Sequence, residues 1–396
     1  MNVPNAAHRR SDLPVTQDIS PRGDYQIAAP AAKLGEYPAE FASTWARKAP
    51  ELNCPPDWLS LACAAFNLMN QLIQKLLLAL SFPASLGVAA DGGYLFVTFR
   101  GEQTPLSEQI YFAVSRDGRT WNALNESRPV LVSELGEKGV RDPYLLRAPD
   151  GKKFHLIATD LSIHLNRDWN RAVRAGSKSI VVWDSTNLVT WSAPRLVKVA
   201  PDDAGCTWAP EAVFDEDKKD FLVFWASTTQ RDNFAKHRIW AARTLDFIQF
   251  SEPFIYIEKP WTLIDTTIVR ENGSYFRFSK DEQFKSITME VGAHLDGPWL
   301  DVTNFSLAKL KGYEGPECYR IKPAAAGKPA TWCLILDHYS KGEGYKPFVT
   351  GDLSGGQFKA GDGFKFPFKF RHGSVLPISE AEYQSLEKTF GSTHGH

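Results

Sequence analysis

The feature that most constrains the fold is an order of short segments that returns along residues 91–396. It is seen whole over 141–198. An opening segment Arg141-Asp-Pro-Tyr-Leu-Leu is followed by a turn at Asp150-Gly151, by Phe154–Thr159 and by Ser179–Trp183. A turn Ser185-Thr-Asn-Leu-Val-Thr-Trp191 then leads into a fourth segment. Apolar runs bounded by Gly, Asp, Asn and Pro read as strands. The opening element recurs as Arg141-Asp-Pro, Trp208-Ala-Pro-Glu, Ile264-Asp-Thr-Thr, Glu314-Gly-Pro and Arg371-His-Gly-Ser. With Asp142, Trp208, Asp265, Glu314 and His372 as markers, the steps are 66, 57, 49 and 58 residues. The closing turn recurs at Ser115–Trp121, Leu245–Phe250, Leu295–Trp299 and Asp352–Phe358. Four strands repeated at a period near 50 residues are the blades of a propeller. The fifth opening strand, Arg371–Ile378, has no strands after it, and three strands between Tyr94 and Val132 have no opening strand before them. Joined, they complete a blade and leave the ring without a free edge. The expectation is an all-β, five-bladed β-propeller over 91–396, closed by the C-terminal strand and interrupted by no long helical period.

Composition agrees with short strands and tight turns: 12 Trp, 12 Tyr and 25 Phe stand beside 28 Gly and 25 Pro. The 45 Lys and Arg against 46 Asp and Glu give a net charge of −1, which excludes the basic footprint of a nucleic-acid or anionic-membrane binder. A monomer without such partners is expected. Five Cys without a CxxC pair exclude a zinc site or a dense disulfide framework. Cys318 and Cys333 flank adjacent strands and either pair or remain two buried thiols.

The first ninety residues read differently. Residues 1–35 are polar and without period, and 36–68 carry helical patterns, the second opening at Pro55-Pro56-Asp57. Met69, Lys75, the apolar run Leu76–Phe82 and the small-residue ending Val88-Ala89-Ala90 have the layout of a secretory signal peptide. This predicts translation from Met69, with 1–68 a disordered and helical extension or an over-extended gene model. It also predicts 69–90 as a signal and a secreted or periplasmic mature chain of 91–396. The alternative is a helical hairpin packed on the next domain.

In a propeller the first strand of every blade lines the central channel, so its end residues converge. Here Asp142, Asp265, Glu314 and His372 meet, with Trp208 and Arg371 alongside. Neighbouring carboxylates push one pKa up, which keeps an acid protonated near neutral pH. Paired with an ionised carboxylate, such an acid suits hydrolysis of a glycosidic bond. Trp169, Trp208, Trp225, Tyr313 and Tyr339 offer faces for a sugar ring, and Leu165–Ser177 forms part of the rim. Residues 324–329 read as a surface turn. Each position has a structural rival. Arg141-Asp142 reads also as an ion pair and Asp265 as a turn cap. Glu317 competes with Glu314 for the acid role, although alternation puts the two on opposite faces. Glu211 reads as a supporting partner, His164 and His237 as solvated or hydrogen-bonded, and His338, after the second strand of its blade, as a substrate contact.

The run Arg-Asp-Pro, Trp-Ala-Pro-Glu, Ile-Asp-Thr, Glu-Gly-Pro and Arg-His-Gly, in that order, resembles glycoside hydrolase family 43, over about residues 91–380. The resemblance implies an inverting α-L-arabinofuranosidase or β-xylosidase that cleaves terminal pentoses from plant-type polysaccharides or oligosaccharides. It implies Asp142 as general base, Glu314 as general acid and Asp265 as the carboxylate that tunes and orients the acid. Trp208, Arg371, His372 and His338 would bind substrate. It places His372 at the channel centre, where some members bind calcium or another ion through waters; no cofactor is required for the reaction. Thr266-Thr267 stands after Asp265 where Pro or Ala-Pro is commoner. Two other readings compete. Related fructan-processing propellers carry an Asn-Asp-Pro nucleophile near the first blade, and residues 91–140 contain no Asp-Pro. A non-catalytic carbohydrate-binding propeller has no need of three carboxylates.

Overall fold

A computed structural model describes residues 92–322 and 329–391. The segments expected over 1–68 and 69–90 lie outside the described residues, as does most of the turn expected at 324–329. The described chain forms five four-stranded antiparallel sheets. In chain order the strands are β1 (Gly93–Thr98), β2 (Tyr111–Ser115), β3 (Asn122–Ala123), β4 (Val140–Arg147), β5 (Phe154–Asp160), β6 (Ser179–Ser185) and β7 (Arg195–Lys198). They continue as β8 (Trp208–Asp215), β9 (Asp220–Ser227), β10 (Arg238–Thr244), β11 (Phe254–Ile257), β12 (Leu263–Glu271), β13 (Ser274–Asp281) and β14 (Ser286–Gly292). The last are β15 (Trp299–Asp301), β16 (Glu314–Lys322), β17 (Thr331–Asp337), β18 (Tyr345–Thr350), β19 (Lys359–Ala360) and β20 (Gly373–Ile378). Four blades are consecutive, β4–β7, β8–β11, β12–β15 and β16–β19; the fifth has the order β20-β1-β2-β3. The five-bladed ring and its closure by the last strand are therefore as the segment order predicts.

Closure is a continuous antiparallel ladder from Gly93 opposite Ile378 to Thr98 opposite Gly373. The Thr98 hydroxyl extends it, donating to the Arg371 carbonyl at 2.9 Å and accepting from the Arg371 N–H at 3.2 Å. Ser374 then ties β20 to the next blade by accepting from the Leu145 N–H at 2.8 Å. Apolar side chains fill the wedges between blades. Leu95, Phe112 and Val114 meet Leu145, Leu156 and Trp183 in one cluster that also takes in Leu376. Burying each of these large side chains contributes roughly 1.5–3 kcal/mol relative to exposure.

The repeated closing turn has a simple cause. Asp117, Asn187 and Asp246 each accept, through Oδ1, the backbone N–H groups two and three residues on. A Ser or Thr two residues before each contributes a further bond to the same oxygen. The carboxylate or amide thus replaces backbone partners where the chain reverses.

One element goes beyond the strand reading. Residues Glu380–Phe390 form a helix that opens on a capping box: the Glu382 carboxylate accepts from the Ser379 N–H at 2.8 Å, and Ser379 Oγ accepts from the Glu382 N–H at 3.4 Å. Tyr383 and Leu386 are buried against the closing blade and the first full one, and Arg147 grips Glu382 with bonds of 2.6 and 2.8 Å. The Ser379-x-x-Glu382 signal is present in the sequence, and the strand period obscured it.

A side chain at Gly373 would run into the Val97 carbonyl of the ladder. Gly373→Ala is therefore expected to cost about 2 kcal/mol or more, read as a lower urea midpoint at unchanged slope; an unaltered midpoint would show that closure tolerates separation of the two strands.

Candidate active site

The inner strands do not run regularly to the channel mouth. In β4, Arg141 pairs with Thr159 and Tyr144 with Ile157, so three steps face two. The same slip falls between Trp208 and Glu211 in β8 and between Glu314 and Glu317 in β16, and a related one between Ile264 and Thr266 in β12. Each is a β-bulge, and at each one residue has a left-handed backbone: Asp142 (φ 49), Ala209 (φ 46), Asp265 (φ 51) and Gly315 (φ 54). Bulges re-aim side chains. A non-glycine residue held at positive φ is strained and persists only where its surroundings fix it. At Gly315 a Cβ would lie 2.7 Å from the His372 ring, so glycine is required twice over.

The bulge in β16 overturns one expectation. Its extra residue cancels the alternation, so Glu314 and Glu317 both face the channel. Glu317 accepts from the Val375 N–H of the neighbouring inner strand at 2.8 Å. It lies deeper than Glu314, beside Glu211. Burial raises the Glu317 carboxyl to about 8, and burial followed by the charge of Glu317 raises Glu211 well above the carboxylate range. This pair lies outside the open cavity.

That cavity, about 510 Å³, opens at the channel mouth and is lined by Asp142, Asp265, Glu314, Trp208, Arg371 and His372 together with Trp169, Tyr339 and His237. The short helix Trp169–Arg174, within the segment expected at the rim, supplies Trp169 and Val173. Trp169 stands edge-on to Trp208 at 6.1 Å, and Trp208 stacks on His237 at 5.0 Å. Burial lowers His237 to about 4, so it is a neutral ring behind the Trp208 face. Three expected contacts are not at the cavity. Trp225 is wholly buried and donates to Ser227 at 3.1 Å. Tyr313 and His338 stack on each other at 4.1 Å, His338 held by Glu343 at 3.0 Å, and neither lines the cavity. Trp225 lies within β9 and packs into the core between blades, while Tyr313 and His338 are held against each other beside β16 and β17. Cys318 and Cys333 are separate buried thiols.

The charged groups form two connected sets. In the first, His372 Nδ1 lies 3.2 Å from Asp142 Oδ1 and 4.0 Å from Asp265 Oδ1. Thr159 donates to Asp142 at 2.9 Å while accepting from the Ala209 N–H at 2.8 Å. Asp265 accepts from the Gly315 N–H at 3.1 Å. Burial opposes the charge on Asp142, yet His372, then Arg141 and Thr159, hold its carboxyl below the usual range. Burial raises Asp265 to about 6, opposed by His372 and assisted by Glu314. Burial also opposes the charge on His372, but Asp265 and Asp142 raise the imidazole to about 9. The two carboxyls are thus displaced in opposite directions from the ordinary aspartate value, each for a physical reason.

In the second set both oxygens of Glu314 meet cations: Lys280 at 2.8 Å and Arg371 at 3.1 Å. Lys280 is shared with Glu282 at 2.8 Å, and Arg371 with Asp337 at 2.5 Å. Sequence reasoning missed Lys280, Glu282, Asp337 and Thr159, because all four lie at the ends of second strands, which carry no repeated motif. Arg141 does not pair with Asp142 directly. It binds Glu102 at 2.9 Å and buried Glu108 at 3.1 Å, which sets the wall of the cavity.

The side chains around His372 do not supply a direct coordination shell for a calcium ion. Calcium takes six to eight oxygen ligands; here a ring nitrogen, drawn cationic by the aspartates, occupies the space between them. Among the described residues no group of three or more His, Cys, Asp or Glu is arranged to hold a metal.

Carboxylates gathered from separate blades at the mouth of a closed propeller are an arrangement that hydrolysis of a glycosidic bond can use. The chain belongs to the glycosyl hydrolase family related to family 43: the family model described as "Probable glycosyl hydrolase domain" matches residues 90–384. An α-L-arabinofuranosidase of Bifidobacterium longum subsp. longum is 29% identical over 273 residues, covering 59% of this chain and 25% of that protein. The chain thus spans about a quarter of the length of that relative. Among solved structures, an endo-1,4-β-xylanase of Bacteroides thetaiotaomicron is similar with 14% identity, covering 65% of this chain and 84% of that one at a TM-score of 0.44. The catalytic domain of a Coprinopsis cinerea GH62 α-L-arabinofuranosidase has 9% identity, covering 58% and 69% at a TM-score of 0.38.

The charge on His372 has a consequence for stability. Its pKa is raised above the ordinary histidine value of 6.5. Its contribution is therefore fully present below pH 6.5 and is lost as pH rises through about 9. Between those limits the wild type is expected to lose about 2 kcal/mol more than His372→Gln does, measured by urea unfolding across pH; parallel curves would refute the assignment.

Proposed function

We propose that this chain is an inverting glycoside hydrolase that releases terminal pentose units, α-L-arabinofuranosyl or β-D-xylosyl, from plant-type polysaccharides or oligosaccharides. The observation that carries this reading is the gathering of Asp142, Asp265 and Glu314, from three different blades, around His372 at one open cavity. The name of the Bifidobacterium relative favours the arabinofuranosyl form.

In this mechanism Asp142 is the general base. Its charge is held by His372 and Thr159, and it accepts a proton from the water that attacks the anomeric carbon. Glu314 is the general acid and delivers a proton to the leaving oxygen from the other side of the ring. Asp265 acts through the chain: by holding the Gly315 N–H it fixes the backbone next to Glu314, and its own electrostatic field falls on that carboxyl. Trp208, braced from behind by His237, offers the flat apolar face on which a sugar ring rests. No step is routed through a metal.

Hydrolysis of aryl α-L-arabinofuranoside, β-D-xyloside and β-D-galactoside tests the reading. Turnover of one of the two pentosides is expected, reduced about 10²–10⁴-fold in Asp142→Ala and Glu314→Ala, with the inverted anomer appearing first by proton NMR. Retention at the anomeric carbon, galactoside as the preferred sugar or undiminished variants would each refute part of it.

A further inference from the structure

The mechanism above uses Glu314 but leaves its strongest neighbour without a task. Lys280 lies one residue before the end of β13, a second strand, and its side chain is only 3% exposed. The amino group lies 2.8 Å from Glu314 Oε2 and 2.8 Å from Glu282 Oε2, and 4.2 Å from the centre of the Tyr339 ring. A buried ammonium is costly unless paired. Both carboxylates serve that need, yet one would suffice for a purely structural lysine, and two of the three ammonium donors are taken by carboxylates at the cavity wall.

We propose that Lys280 is a positioning residue that makes Glu314 a strong proton donor, by stabilising the carboxylate Glu314 becomes once its proton has left. The proposal rests on the assignment of Glu314 as general acid. In the step concerned, the O–H bond of Glu314 breaks as the leaving oxygen takes the proton and the glycosidic C–O bond opens. The electron pair of the O–H bond remains on Glu314, opposite the Lys280 ammonium. Such an interaction is greater after proton transfer than before it and so lowers the barrier. Glu282 moderates it by holding part of the same positive charge, as Asp337 does for Arg371 on the other oxygen.

The charged groups around this pair come from every inner wall of the site. Asp142 and Asp265 stand on β4 and β12, and Arg371 and His372 before β20. Asp337 ends β17, and Glu282 and Lys285 follow β13. Lys285 remains as a partner for Glu282, and Arg371 for Glu314, when Lys280 is substituted. Burial opposes the charge on Lys280, but Glu314, Asp265 and Glu282 raise the amine above the ordinary lysine range, so it remains a cation throughout the working pH.

The test is Lys280→Met, which keeps the stem against Tyr339 and removes the charge, set beside Glu282→Gln. For a glycoside with a poor leaving group, where protonation is needed, Lys280→Met is expected to lower kcat about tenfold or more. For a dinitrophenyl glycoside, whose leaving group departs without a proton, the change is expected to stay within about threefold. The alkaline limb of the kcat/KM profile moves up by about one pH unit in Lys280→Met and in the opposite direction in Glu282→Gln, where Glu314 receives the full charge. A substrate-free readout accompanies these: the infrared carboxyl band that disappears in Glu314→Gln is followed against pH in wild type and both variants. Equal losses on both leaving groups with an unmoved limb, or a Glu314 band that titrates at the same pH in all three proteins, overturns the proposal. If the wild type hydrolyses no glycoside, the proposed function fails while the band still decides the role of Lys280. If Lys280→Met does not fold, Glu282→Gln decides by the direction of its shift.

Discussion

Everything at the channel mouth depends on the ladder between β1 and β20. It joins residues near the end of the described chain to residues near its beginning, and it carries Arg371 and His372 on its leading edge. Without it His372 would not stand between Asp142 and Asp265, and Glu314 would lose Arg371. A propeller buries apolar surface only between neighbouring blades, so an open ring would leave two blade faces in water and two strand edges unpaired. Closure, core packing and site assembly are one event.

Within the ring, strained backbone gives the site its shape. Regular strands would send alternate residues into the channel and into the sheet interior. The bulges break that alternation at the same height in four inner strands, and two of the four left-handed residues are the aspartates that face His372. Holding Asp142 and Asp265 at positive φ costs of order 1–3 kcal/mol each. The hydrogen bonds from Thr159 to Asp142 and from the Gly315 N–H to Asp265, with the charge of His372, offset that cost in the folded state alone.

Charge is arranged with the same economy. Glu282, Lys280, Glu314, Arg371 and Asp337 alternate in sign along a connected chain, and Asp142, His372 and Asp265 form a second. Each cation is divided between two carboxylates. Such division keeps the buried charges paired.

Much of this was legible in the chain itself. Residue order determined the five blades, because each blade is a local unit with its own opening motif and its own Asp or Asn turn; it also marked Asp142, Asp265, Glu314, Trp208, Arg371 and His372, which sit in those motifs. The Ser379–Glu382 capping box was written there too, though it was masked by the prevailing strand period. Only the tertiary structure decided that Glu317 turns into the channel, since a one-residue bulge reverses strand alternation without changing composition. It alone removed His338, Tyr313 and Trp225 from the cavity, brought in Lys280 and Glu282, and set buried Asp337 against Arg371. Those placements depend on distances between segments remote in sequence, and closure of the ring sets them.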